Sequence, residues 1–190
     1  MAIYPLGECE FTFTPKNGEE IKVDRTLKEE DCNLTVTEET QKIEMDQLDG
    51  PFENRYTGST VIFKCSVLMD NEQYSKLSNT LTKGRTGYAY STRGKSVQQG
   101  KLVIHPLAAG TSKDSDITTT KAFLKSSLEF NFKKDGLHKV TLEFEFAADE
   151  QSSSPTFGTM FTIGANYAAM SMLAETSTHE NSGTVIKTKE

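Results

Sequence analysis

The chain has no tryptophan, only three histidines and three cysteines, and no long apolar run. Each shortage excludes something. A membrane-crossing helix needs roughly 18 or more consecutive apolar residues, so neither such a helix nor a membrane partner is expected. The opening stretch MAIYPLGECEF has no basic leader and no apolar segment, so no signal peptide is expected. Cys9, Cys32 and Cys65 are odd in number, widely spaced and without a CxxC pair. That pattern predicts free thiols in a reducing cytosol, with neither a disulfide framework nor a zinc site. His105, His138 and His179 lie in separate segments, none at ligand spacing from another His or Cys. No GxSxG, P-loop or GxGxxG occurs, and Gly84-Arg85-Thr86-Gly87 lacks the Gly-Lys-Ser/Thr ending of a phosphate cradle. Asp46, Gln47 and Asp49 do not match the spacing of an EF-hand loop. The expectation is no catalytic residue, no metal, no cofactor and no enzyme activity.

What is present is a single-domain length of 190 residues with 35% hydrophobic and 25% charged side chains. Eleven Phe and six Tyr supply the large apolar groups. The net charge of −6 is unevenly spread. Residues 1–60 carry 14 acids and 6 bases, whereas residues 61–110 carry 2 acids and 7 bases. An acidic segment followed by a basic one would let identical copies meet head to tail, although two solvated surfaces would look the same.

Alternation with period two dominates the chain. Cys9, Phe11 and Phe13 alternate with polar residues, Lys16-Asn17-Gly18 turns, and Ile21 to Val23 returns. Residues 26–33 read as loop. Asn33 to Gln47 reads as a long strand with a polar middle that can break it, and Asp49-Gly50-Pro51 as a turn. Gly58 to Met69 reads as a second long strand with Val61, Phe63, Cys65 and Val67 on one face. Asp70 and Asn71 are good N-cap types, and Glu72 to Leu81 places Tyr74, Leu77, Ser78 and Leu81 on one helical stripe. Residues 83–100 hold four glycines, four basic side chains and no acid, which predicts a long functional loop. Leu102 to Ile104 is a strand ending at His105-Pro106. Asp116 to Leu124 leads into a hairpin. There Leu128, Phe130 and Phe132 face Val140, Leu142, Phe144 and Phe146 across a turn at 133–136. Thr159 to Ile163 reads as a last short strand, Ala165 to Glu175 as helical, and 176–190 as a loose polar tail. The expected core is Phe63, Val67, Leu77, Ile104, Leu128, Phe130, Val140, Leu142 and Phe144.

Glu129, Glu143 and Glu145 share one hairpin face. Paired carboxylates can act as acid and base on glycosides, but alternation with an apolar face is better explained by solvated outward positions. The basic stretch interleaves Arg85 and Arg93 with Tyr88 and Tyr90, as single-stranded nucleic acid would require. No basic field surrounds it, so a protein neighbour fits better.

Three stretches in order resemble phage major tail tube proteins. The first runs from Leu34 to Leu81, with a strand, the turn DQLDGP, a strand and a helix EQYSKLSNTL. The second is GKLVIHPLAAG at 100–110. The third is the closing hairpin LEFNF to HKVTLEFEFAADE, followed by Phe157-Gly158. The resemblance covers roughly residues 33–164 of a single domain spanning 1–190. It implies a mainly β fold, a β-sandwich or split barrel with one flanking helix and long loops. It implies hexameric rings stacked into a hollow tube for genome DNA, which passes without specific binding. Tape measure, tail terminator and baseplate proteins are the implied partners. The implied place is the virion tail, after synthesis in the host cytoplasm. Lumen-facing candidates are Glu38, Glu44, Asp46, Glu129, Glu143 and Glu145, all expected to turn away from the core. Inter-ring candidates are Lys83, Arg85, Tyr88, Tyr90, Arg93 and Lys95. The alternative from another class is a virion decoration or receptor-binding β module.

Overall fold

A computed structural model describes residues 8–23, 26, 32–44, 51–130 and 139–164. Among them the fold is mainly β with one α-helix. The strands are β1 (Cys9–Pro15), β2 (Ile21–Val23), β3 (Asn33–Glu44), β4 (Pro51–Leu68), β5 (Leu81–Lys83), β6 (Tyr88–Tyr90), β7 (Gln98–Pro106), β8 (Ile117–Glu129), β9 (Lys139–Phe146) and β10 (Thr162–Ile163). Helix α1 spans Asn71–Leu77, and a single 3-10 turn covers Leu107–Ala109.

One antiparallel sheet runs in the order β2-β1-β7-β8-β9-β4-β3, with β10 added beside the start of β8. Phe11 on β1 touches both Phe63 on β4 and Phe144 on β9, with ring centres 5.5 Å and 5.7 Å apart. Neither β4 nor β9 is a sheet neighbour of β1. The sheet must therefore curl until its inner face meets itself. Thr26, just past β2, bridges to Val67 on β4 and joins the two ends. The result is a split barrel closed at one seam, as a right-handed twist and a single apolar face favour.

The inner face is the one that alternation predicts. Val61, Phe63, Cys65 and Val67 are buried, as are Val140, Leu142, Phe144 and Phe146. Register aligns them, with Phe63 opposite Phe144 and Cys65 opposite Leu142. Gly100 on β7 pairs with Pro15 on β1. A Cβ there would sit 2.2 Å from the Thr14 carbonyl oxygen, so only glycine permits this approach.

Several expectations need correction. Strand β4 begins at Pro51, not Gly58, because pairing with β3 continues past a bulge that skips Thr57. Helix α1 stops at Leu77. Asp70 caps it by accepting from the Gln73 N–H at 2.7 Å, but Leu81 leaves the helical stripe to pair with Tyr90 and bury its side chain. Residues 83–100 are not loop throughout. They hold the second strand of a β5–β6 hairpin and the start of β7. Strand β8 is continuous from Ile117 to Glu129. Of the expected core, Leu128 is only half-buried and Phe130 is 46% exposed, since it lies one residue beyond the last β8–β9 pair.

The free-thiol expectation is also overturned. Cys32 and Cys65 form a disulfide, with Cα atoms 4.3 Å apart. The reason is register. Asn33 pairs with Lys64, so the preceding Cys32 falls opposite Cys65. The expected turn at 133–136, the helix at 165–175 and the tail at 176–190 lie outside the described residues, as do Phe132 and Gln47.

Candidate assembly interface

Among the described residues, no three His, Cys, Asp or Glu side chains gather as a metal cage. His138 and His179 lie outside those residues. His105 sits near the end of β7, with Nδ1 2.5 Å from Asp116 Oδ1 and Nε2 2.8 Å from the Gly110 carbonyl oxygen. Both ring nitrogens face acceptors, so the doubly protonated imidazolium is the form that satisfies both. The hydrogen bond to Asp116 is the main cause that raises the His105 pKa, and the Gly110 carbonyl adds to it. The cluster ties the β7–β8 connection together. It binds Gly164 as well, whose N–H donates to the Asp116 carbonyl at 2.8 Å.

Asp149 is a buried carboxylate with a structural explanation. It accepts from the Thr156 hydroxyl at 2.7 Å and from the Gln151 N–H at 3.0 Å. These bonds, with Thr156 foremost, hold its pKa below the usual carboxylate range. Its backbone exchanges bonds with Thr159 and Gly158, closing the 149–159 loop.

The larger anomaly is the β3–β4 pair. From Val36 to Ile43 on β3 and from Glu53 to Ser59 on β4, every side chain is exposed or half-buried. The two strands form an arm that runs past the core. Directly paired residues share a face, and Leu34, Val36, Glu38 and Thr40 pair with Phe63, Val61, Ser59 and Tyr56. Phe63 belongs to the core and the half-buried Leu34 packs against it. The arm face bearing Val36, Glu38 and Tyr56 is therefore the core face continued into solvent. Val36 is 48% exposed there and Tyr56 75%. Strand β3 is also a sheet edge, pairing only with β4 among the described residues.

The β5–β6 hairpin forms the second exposed feature. Gly84 N–H donates to the Gly87 carbonyl at 2.7 Å and tightens its turn. The whole stretch 82–97 is exposed, including Lys83, Arg85, Tyr88, Tyr90, Arg93 and Lys95. Lys83 lies 3.8 Å from Glu72 of α1. Between the hairpin, the start of α1 and the end of β8 lies a groove of about 700 Å³, lined by Leu81, Tyr88, Tyr90, Leu128 and Phe130 among others. Helix α1 is fastened beside it by the buried Tyr74, whose hydroxyl is 2.9 Å from Ser126 Oγ.

The acidic candidates separate onto two faces. Glu129, Glu143 and Glu145 pair with Lys139, Lys125 and Phe123 on the outer face, away from the core. That face is not purely acidic. Lys125 Nζ meets Glu145 at 2.7 Å, which raises the lysine pKa, and Lys64 is paired with Glu143 across β4–β9. Glu38 contradicts the expectation, for it lies on the core side. The signal was available, because Glu38 shares parity with Leu34 and Val36. Glu44 ends β3, and Asp46 is outside the described residues. The Thr26 bridge, the disulfide and the exposed Tyr56 carried no sequence signal of their own.

No family model and no curated protein matches the chain. Among solved structures it is similar to a chain in the cryo-electron microscopy structure of the anti-feeding prophage baseplate, six-fold symmetrised. The identity is 13% and the TM-score 0.45, over 76% of this chain and 90% of that one.

Proposed function

We propose that the chain is a structural, non-enzymatic subunit of a phage tail, and specifically of its tube. Subunits form hexameric rings, and rings stack into a hollow conduit for genome DNA. One observation carries this reading: the β3–β4 arm presents an uncovered core face and a free strand edge. A solitary domain would gain nothing from this arrangement and would risk aggregation. Repeated head-to-tail contact between copies covers such a surface and builds a ring or filament. The split barrel with one flanking helix and the ordered tail-tube-like stretches of sequence support the same reading. Tape measure, terminator and baseplate proteins would then be its neighbours in the virion tail, following synthesis in the host cytoplasm.

Electron microscopy of the purified protein tests this. Hollow tubes with six-fold end views are the expected result. Discrete particles that never elongate at any concentration would remove the tube reading and favour a decoration or receptor-binding module.

A further inference from the structure

We infer that the uncovered face of the β3–β4 arm seats in the β5–β6 groove of a second copy of this chain. This contact deepens the self-assembly reading, on which it rests, by naming both of its surfaces.

The first argument is position. Tyr56 lies towards one end of β4, while the groove begins with Asn71, just past the other end at Leu68. Twelve residues of strand separate Tyr56 from Leu68, which is about 40 Å at ~3.3 Å per residue. An arm cannot fold back into its own groove over that length without dismantling β4. The two surfaces stand at opposite ends of the molecule, the geometry of a contact that repeats head to tail.

The second argument is chemistry. The arm offers Val36 and Tyr56 beside Glu38, with Glu39 on the same strand. The groove offers Tyr88, Tyr90 and the half-buried Leu128. The hairpin segment carries Lys83, Arg85, Arg93 and Lys95 with no acid in residues 83–100, although Lys83 lies 3.8 Å from Glu72 of α1. An aromatic anchor entering an aromatic groove, with acids on one segment and bases on the other, is an arrangement that gives both affinity and register. A nucleic acid would suit the basic side chains of the hairpin segment but would leave Val36 and Tyr56 uncovered.

Two paired variants test the contact. One carries Val36→Ser with Tyr56→Ser and the other Tyr88→Ser with Tyr90→Ser. All four side chains are exposed, and dichroism and a thermal melt check that each variant folds. Association is followed by sedimentation against concentration. Each variant alone should associate about tenfold more weakly than wild type, or worse, as loss of a buried aromatic anchor predicts. An equimolar mixture should form pairs that do not grow, because each pair keeps only one intact arm facing one intact groove. Variants that elongate like wild type, or a mixture no more associated than its parts, would overturn the inference. Should either variant fail to fold, hydrogen exchange on the wild type decides. Assembly should protect peptides covering both 34–60 and 81–95, and protection confined to other segments would overturn it. Tubes that persist in both folded variants sink this contact alone. Arm–groove association that never yields a hollow tube sinks the tube reading and leaves the contact standing.

Discussion

Phe11 and Phe144 meet edge to face with ring centres 5.7 Å apart, although their strands are not neighbours in the sheet. That contact measures how far the sheet has curled. Phe144 is fully buried and also lies 5.2 Å from Phe13 and 6.2 Å from Phe63. It is the residue around which the barrel closes.

Phe144→Ala should therefore cost about 3–5 kcal/mol, from lost burial plus an unfilled cavity. Phe130→Ala, at the exposed end of the hairpin, should cost about 1 kcal/mol or less. Urea unfolding of both variants checks the contrast. Equal costs would mean that Phe130 is inside or Phe144 outside.

The Cys32–Cys65 link crosses β3 and β4 beside the Thr26–Val67 seam. Peptide mapping without reductant should recover these two residues joined and Cys9 free. The link closes a loop with a sequence separation of 33. Reduction should then lower stability by about 2–4 kcal/mol on chain-entropy grounds. A thermal melt unaffected by reductant would show that the seam holds without the bond.

His105 makes stability depend on pH in a definite direction. Its folded-state pKa is raised by Asp116 and the Gly110 carbonyl, with Glu10 adding a smaller attraction. A raised pKa means that folding favours the protonated ring. The contribution is complete below the unfolded value of about 6.5 and fades as pH rises through the folded value. His105→Gln should lose stability relative to wild type at pH 6 and converge with it in alkali. An NMR titration midpoint for His105 at or below the unfolded value would contradict this assignment.

The outer face of β8 and β9 tests the conduit. Glu143→Lys together with Glu145→Lys would reverse two carboxylates and set new lysines beside Lys64 and Lys125. If this face lines the channel, tubes should form and DNA ejection should slow. The slowing should be greatest at low salt, where the Debye length reaches about 30 Å at 0.01 M. Ejection unchanged at every salt concentration would place these carboxylates outside the channel.

Periodicity by itself determined β1, the Val61–Val67 stretch of β4 and β9, with the buried residues on them. Alternation is a local property, and a strand with one apolar face has one sensible orientation. The N-cap at Asp70 was equally local, because capping is settled within four residues. Pairing was not local. Whether Leu81 ended a helix or began a strand depended on Tyr90 across a hairpin. Whether Cys32 had a partner depended on a register set 33 residues away. The arm was the least legible element. Its residues alternate like those of any half-buried strand, and nothing in the chain says that the core stops at Val61. Only the closure of the barrel decided that, because the volume enclosed by a curled sheet is finite. Once Phe11, Phe13, Phe63 and Phe144 fill it, the remaining lengths of β3 and β4 have no interior left to face.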